Sequence, residues 1–196
     1  VEEASALAGM AVRLPAAISP SDPQTFQVEG RTEYRATLPR EALAFLLQAA
    51  GMDASLLEGY ESGEVRAAYD SAVYWMQDGL QIIQVLNPAA EYPEGLDPTV
   101  YGEAGLRVLG LPAEDAHRIA TSIDWATTLL LPLPTRQAEY RDVSVAGSAG
   151  ILVVPTDPAE QDAPAAALVW QRGGVLYFAA SDGDPGALVA VAESMF

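Results

Sequence analysis

His117 is the only histidine of the chain, so any mechanism that relays protons through an imidazole would have to use it. Glu114 lies three residues earlier, and on a helix this spacing places both side chains on one face, where they could hold a metal ion. The chain contains no second histidine and no cysteine to complete a zinc site. A solvated histidine on a surface helix is the better interpretation, and we expect neither a metal nor a cofactor.

Two further segments resemble chemical motifs only superficially. The run Gly-Ser-Ala-Gly at Gly147–Gly150 lacks the residue that separates glycine from serine in a nucleophile elbow, and it joins two predicted strands, so we expect a tight hairpin turn. Ser181–Asp184 could offer oxygen ligands to calcium, but Asp184 precedes a proline and is better explained as a helix cap. No phosphate-binding loop is present in the sequence. We therefore predict no catalytic residue, and the sequence identifies no ligand-binding residue.

Composition restricts the class of protein and of partner. The chain has 196 residues, 50% of them hydrophobic, and no cysteine, which is typical of a folded globule rather than a disulfide-stapled miniprotein. The net charge of −17 arises from 27 acidic residues against 10 arginines scattered along the chain. The electrostatic field of this negative charge repels the phosphate backbones of nucleic acids and anionic lipid headgroups. We expect no nucleic-acid binding, and a protein or a neutral small molecule as the partner.

Two hairpins carry the strongest local signals. Residues 72–77 and 80–85 are β-prone runs joined by Asp78-Gly79, a dipeptide that favours a type I′ turn. Residues 167–171 and 175–179 form the second hairpin around Arg172–Gly174. Both faces of this second hairpin are apolar, with Trp170 and Tyr177 among its residues, so it must be covered on both sides or line a cavity. Ordinary burial under helices is the simpler expectation.

The remaining elements complete an α+β pattern. Further strands are predicted at 26–29, 33–37, 64–70, 127–131, 141–146 and 150–154, and residues 87–95 and 157–164 are predicted to be loops. Helices are predicted from Pro39 to Gly51, from Pro98 to Gly110, from Pro112 through Ile119, and from Pro185 to the end of the chain, and Trp125 is expected to be a core residue. In the helix that Asp97-Pro98 begins, we expect Val100, Leu106 and Leu109 to share the buried face. We thus predict a mostly antiparallel sheet built from hairpins and packed by three or four helices.

The domain boundary follows from proline content. Pro15, Pro20 and Pro23 lie among small residues near the start of the chain, where they disfavour a helix or a central strand. We predict a proline-rich arm or tether over residues 1–24 and a single α+β domain over residues 25–196.

Four segments in the C-terminal half carry a resemblance to a known family: 123–129, 143–147, the hairpin 168–177 with its Trp-X-X-Gly-X-X-Tyr pattern, and the terminal Ala-Val-Ala-Glu-Ser-Met at 190–195. Over about the last 75 residues the chain resembles the extracytoplasmic C-terminal domain of membrane-anchored, anti-sigma-factor-like bacterial proteins, an uncharacterised domain family. The resemblance implies the outer half of such a protein, attached to the membrane only through an N-terminal anchor that this sequence lacks. It offers no catalytic residues to transfer.

The resulting expectation is a non-catalytic, extracytoplasmic sensing or protein-interaction domain of a membrane-anchored bacterial regulator. Two alternatives stay open. A lipoprotein-like carrier of an apolar ligand would have a large pocket beside Trp170 and Tyr177. An unrecognised hydrolase would have convergent, buried carboxylates in a cleft, although nothing in the sequence distinguishes one pair among its 27 acids.

Overall fold

The computed structural model describes residues 1–19, 24–127, 138–156 and 164–196. The predicted class is confirmed, since the described residues form mostly antiparallel sheets together with helices in an α+β fold. Internal contacts divide the chain into two compact units, and the single domain over residues 25–196 stays a prediction. The first unit comprises residues 1–32, 69–88 and 138–196, and the second comprises residues 33–68 and 89–137.

The elements are numbered in chain order. The helices are α1 (Glu2–Ala8), α2 (Arg40–Ala49), α3 (Pro98–Val108), α4 (Ala113–Ser122) and α5 (Pro185–Glu193), with one 3-10 turn at Ala54–Leu57. The strands are β1 (Phe26–Glu29), β2 (Thr32–Pro39), β3 (Ser62–Tyr69), β4 (Ser71–Gln77), β5 (Leu80–Leu86), β6 (Ala89–Glu91), β7 (Ala138–Val145), β8 (Ser148–Pro155), β9 (Ala166–Arg172) and β10 (Val175–Ser181).

A seven-stranded sheet dominates the first unit, with the strand order β1-β4-β5-β10-β9-β8-β7. Both predicted hairpins are confirmed as β4–β5 and β9–β10. Asp78 and Gly79 take φ angles of 50° and 75°, the left-handed pair that a type I′ turn requires. The tight turn predicted at Gly147–Gly150 is confirmed in type but begins earlier, because Ala146 and Gly147 form the turn and residues 148–150 already belong to β8.

The first residues of the chain contradict the predicted extended arm. Glu2–Ala8 is a helix that ends at Gly9 with a φ of 66°, and Ala4 and Ala8 are buried in the core of the first unit. The Ser71 hydroxyl donates a hydrogen bond of 2.6 Å to the Ala8 carbonyl. The prolines begin only at position 15, so they leave the alanine-rich start of the chain free to form a helix. This helix brings the number of α-helices to five among the described residues, against the three or four predicted.

The second unit contains the three-stranded sheet β2-β3-β6 together with α2, α3 and α4. Asp97 caps α3 as predicted, and its carboxylate accepts a hydrogen bond of 2.9 Å from the Thr99 amide. The predicted face of α3 is confirmed only in part. Val100 packs against the core of the second unit, but the buried residues of the helix are Gly102, Glu103 and Ala104, and Leu106 and Leu109 are only half-buried. Burial follows from packing against α2 and α4 rather than from the hydrophobicity of the individual residues.

Three other sequence predictions have different outcomes. β6 lies inside the segment predicted to be a loop, where it pairs with β3. The strand predicted at 127–131 and the loop predicted at 157–164 fall almost wholly outside the described residues. In the described part of the chain no helix has the length and apolar content needed to cross a bilayer.

Candidate functional site

Arginines and aromatic rings converge at the end of the chain. The guanidinium carbons of Arg13 and Arg172 lie 4.8 Å and 4.7 Å from the centre of the Phe196 ring, within cation–π range. The Phe196 ring in turn meets Tyr177 edge-to-face at 5.4 Å, and Tyr177 stacks on Trp170 at 5.0 Å. Phe196 remains 38% exposed, and both arginines are exposed. We call Arg13, Arg172, Phe196, Tyr177 and Trp170 the arginine–aromatic cluster.

The seven-stranded sheet positions this cluster. Trp170 and Tyr177 lie directly opposite each other on β9 and β10, so their rings stack across the hairpin. On the other side of β9, Gly150 of β8 lies opposite Trp170, and a Cβ added to Gly150 would lie 3.1 Å from the Trp170 Cβ. Gln84 of β5 is opposite Tyr177, so one row across the sheet contains both rings and a buried amide.

The buried amide of Gln84 holds Arg13 in place. Its Oε1 accepts a hydrogen bond from the Arg13 N–H, and its Nε2 donates one to the Arg13 carbonyl, both at 2.9 Å. Gln84 is completely buried, so the pair of bonds fixes the backbone of Arg13 against the sheet. The Arg13 side chain then donates to the Met195 carbonyl at 3.1 Å, which ties it to the residue before Phe196. The Arg172 side chain donates to the Ala146 carbonyl.

The two arginines of the cluster differ from the others in their charge environment. Seven of the nine described arginines form ion pairs with acidic side chains: Arg31, Arg35, Arg40, Arg66, Arg107, Arg118 and Arg141. Within the described residues, Arg13 and Arg172 form none, and their side chains bond to neutral groups: the Met195 and Ala146 carbonyls and the Tyr177 hydroxyl. The cluster therefore brings together two guanidinium groups that have no acidic side chain within ion-pair distance among the described residues.

The aromatic part of the cluster is apolar and neutral. Burial raises the pKa of the Tyr177 hydroxyl, and the nearby charges of Arg13 and Arg172 only partly offset this effect. The phenol therefore stays protonated at neutral pH. Trp170 is 2% exposed, and its indole N–H has no hydrogen-bond partner among the described residues. Both rings thus contribute mainly packing, while the arginines contribute charge.

The second unit contains a separate polar cluster around His117. Its Nδ1 lies 2.8 Å from Oε2 of Glu103 on α3, and Arg107 donates to the other oxygen of the same carboxylate. The His117 side chain is 65% exposed, as expected of a histidine on a surface helix, and its partner is Glu103 of α3. Burial by itself raises the pKa of Glu103, but the hydrogen bonds from His117 and Arg107 outweigh it and hold that pKa below its ordinary value.

The lowered pKa of Glu103 predicts how acid affects stability. The ionised Glu103 carboxylate stabilises the folded state. This contribution is complete above the carboxyl's ordinary pKa of 4.5, and it is lost as the pH falls through the lower pKa of the folded state. Glu103→Gln, which cannot ionise, is therefore expected to be less stable at neutral pH and to lose less stability between about pH 5 and pH 3. Urea unfolding across this range measures the effect. Glu114→Gln, at an exposed position of α4, is the control, and parallel pH profiles for Glu103→Gln and the native protein would refute the prediction.

The other residues considered from the sequence have structural positions. Asp184 caps α5, since its carboxylate accepts a hydrogen bond of 2.9 Å from the Ala187 amide. Trp125 is buried as predicted, and its indole donates to the Ala120 carbonyl at 2.8 Å. No group of three or more histidine, aspartate and glutamate side chains that could hold a metal occurs among the described residues.

Sequence reasoning singled out Trp170 and Tyr177 but missed Arg13, Arg172 and Phe196. Arg13 lies in the segment predicted to be an arm, and its contact with Gln84 spans 71 residues of sequence. A glutamine between apolar residues of a predicted strand, as Gln84 is in β5, is the one local signal that could have indicated such a contact. Comparisons with known protein families, with curated proteins and with solved structures give no match to this chain.

Proposed function

We propose that this chain is a non-catalytic, extracytoplasmic sensing or protein-interaction domain of a membrane-anchored bacterial regulator. Its contact surface is the exposed part of the arginine–aromatic cluster, formed by Arg13, Arg172 and Phe196, and its partner is a protein segment that presents carboxylates beside apolar side chains. The observation that carries the proposal is the pair Arg13 and Arg172, two exposed cations that contact one half-exposed ring and have no acidic partner among the described residues.

The chemistry of the cluster supports this class of partner. A guanidinium group presents a planar fork of N–H donors that matches a carboxylate, and an arginine already paired with an acid offers fewer of them. Phe196 adds an accessible apolar ring between the two charges. Aromatic residues and arginine are also the types that contribute most at protein interfaces. The overall charge of −17 opposes an acidic partner at long range, but physiological salt screens that repulsion beyond about 8 Å.

The setting in a bacterial regulator is supported by the resemblance described above. Its most specific segments are the hairpin 168–177 and the terminal residues 190–195. The hairpin contains Trp170, Arg172 and Tyr177, and the terminal segment directly precedes Phe196. The resemblance and the proposed contact surface therefore involve the same part of the chain.

Removing both cluster arginines is expected to abolish binding of an acidic peptide. The probe is a fluorescein-labelled peptide that repeats Glu-Glu-Phe, and fluorescence anisotropy measures its dissociation constant. Arg13→Ala combined with Arg172→Ala should raise that constant by at least about tenfold, because both charge-assisted contacts are lost. Arg141→Ala is the matched control, since it removes an arginine of the same unit that is already paired with Glu139.

Three results would contradict the proposed contact surface. The first is failure of the native protein to bind the probe at all, and the second is an equal loss of binding in Arg141→Ala. The third is equal binding of a peptide that repeats Gln-Gln-Phe, which would show that charge plays no part. A separate screen against ester, glycoside, phosphoester and peptide substrates tests the non-catalytic character. Turnover that His117→Ala abolishes would show that the protein is an enzyme.

A further inference from the structure

The sequence contains the dipeptide Asp-Gly twice, at Asp78-Gly79 and at Asp182-Gly183. In this dipeptide the backbone nitrogen of the glycine can attack the aspartate side chain, because glycine has no side chain that hinders the approach. The attack produces a five-membered imide ring, which water reopens either to aspartate or to isoaspartate. In a folded protein the reaction depends on the backbone angles of the aspartate and on whether the glycine N–H is free.

The turn between β4 and β5 leaves the Gly79 nitrogen accessible. Gln77 and Leu80 are the last paired residues of the hairpin, and Asp78 and Gly79 lie outside the ladder and are both exposed. Among the described residues, no acceptor bonds to the Gly79 N–H. The Asp78 carboxylate accepts a hydrogen bond from a neutral group, Nε2 of Gln77, at 3.2 Å. Both reacting groups therefore lie at the surface, where water reaches them.

Asp78 also has the φ angle that the imide needs. In an L-residue, closing the ring brings the next nitrogen over Cβ and sets ψ to about −120°, which is the ψ of the first central residue in a type II′ turn. Types I′ and II′ share a φ of about 60° at this residue, and a flip of the central peptide interconverts them, which a glycine at the second position permits. With its φ at 50°, Asp78 reaches the ring geometry by this flip alone. The strands β4 and β5 keep their pairing, since both turn types close two-residue hairpins.

The second Asp-Gly pair lacks both features. The Gly183 N–H donates a hydrogen bond of 3.0 Å to the Ser181 hydroxyl oxygen, so it is already engaged. The φ of Asp182 is not positive, and its own N–H donates to the Gly79 carbonyl at 3.3 Å. Reaction at Asp182 would therefore require the Gly183 bond to break and the backbone to move into a strained conformation.

We propose that Asp78 is a site of spontaneous isoaspartate formation in the folded protein. The Gly79 nitrogen forms a bond to Cγ of Asp78, and the N–H proton leaves with the carboxyl OH as water. Water then adds to the imide. Breaking the bond between the nitrogen and Cγ restores aspartate, whereas breaking the bond between the nitrogen and the main-chain carbonyl carbon produces isoaspartate, in which the chain runs through Cβ. Nothing is oxidised or reduced, and the product has the mass of the original chain.

The product differs from the native turn in two ways. Isoaspartate adds one atom to the backbone between β4 and β5, and it leaves a free α-carboxylate at the surface. That carboxylate is the group that an isoaspartyl methyltransferase esterifies, so the modified chain should be a substrate for this class of enzyme. The proposal goes beyond the contact surface, since it uses no residue of the arginine–aromatic cluster.

Incubation of the native protein at neutral pH over several weeks tests the proposal. Trypsin cleaves this lysine-free chain only after arginine, so the two Asp-Gly pairs fall on separate peptides, residues 67–107 and 173–196. Electron-transfer fragmentation distinguishes isoaspartate from aspartate in each peptide, and methyltransferase labelling gives an independent measure. Isoaspartate should form at Asp78 about tenfold faster or more than at Asp182, because only Asp182 must first adopt a strained backbone.

Two controls separate the effect of the turn from that of the dipeptide. In concentrated urea both pairs lose their backbone geometry, so the two rates should become similar. Asp78→Asn keeps a dipeptide that favours the type I′ turn, and ammonia leaves more readily than water, so this variant should form the imide faster at the same position. Equal rates at both pairs in the folded protein, isoaspartate at Asp78 in urea only, or a folded Asp78→Asn variant that does not deamidate would each overturn the proposal.

Discussion

Gln84→Leu is expected to lower the free energy of unfolding by about 3 kcal/mol, since each buried polar group left unpaired costs roughly 1–3 kcal/mol. The variant removes both hydrogen bonds that Gln84 makes with the backbone of Arg13. The similar volume of leucine fills the site, so loss of the bonds rather than a cavity determines the cost. Urea unfolding followed by circular dichroism measures the change.

The same variant links stability to the proposed function. Because Gln84 positions the backbone of Arg13, Gln84→Leu should also weaken binding of the acidic peptide although it changes no charge. Gln81→Leu is the control, since Gln81 lies three residues earlier on β5, is only half-buried and makes no side-chain hydrogen bond among the described residues. The expected change for this control is within about 0.5 kcal/mol. Equal stability of the two variants would show that the Gln84 bonds do not hold the segment.

Gly102→Ala is expected to destabilise the second unit by about 2 kcal/mol or more, although alanine is the better helix former. A Cβ at Gly102 would lie 2.0 Å from Cζ2 of Trp125, a distance at which atoms overlap. The Trp125 ring is buried and its indole is hydrogen-bonded to Ala120, so it cannot move aside cheaply. Overpacking of this kind costs more than the gain of up to about 1 kcal/mol from replacing glycine in a helix.

Gly105→Ala provides a matched control on the same helix. No atom lies within 4 Å of the position that its Cβ would occupy, so only the helix propensity changes. We therefore expect this variant to be more stable than the native protein by up to about 1 kcal/mol. The two substitutions are chemically identical, and opposite signs in urea unfolding would show that contact with Trp125 decides the outcome. A stabilising effect of both would contradict the packing of α3.

Local chemistry explains what the sequence could predict. The type I′ turn at Asp78-Gly79 needs two residues that tolerate positive φ, and neighbouring residues supply them. The caps Asp97 and Asp184 depend only on an amide two or three residues away. The α+β class follows from such short-range signals, because strands grouped in hairpins build an antiparallel sheet. These features were predictable since their partners lie within a few residues.

Only the tertiary structure decided where the candidate site lies, because its partners are distant in sequence. Arg13 meets Gln84 across 71 residues and Met195 across 182, and no periodicity encodes such contacts. The burial of Glu103 likewise depends on Arg107 and His117 satisfying its carboxylate, whereas a glutamate in a sequence predicts an exposed position. Sequence by itself therefore determined the hairpins, caps and charge of this protein. The convergence of Arg13 and Arg172 on Phe196 was decided by packing, since only the folded chain brings these groups together.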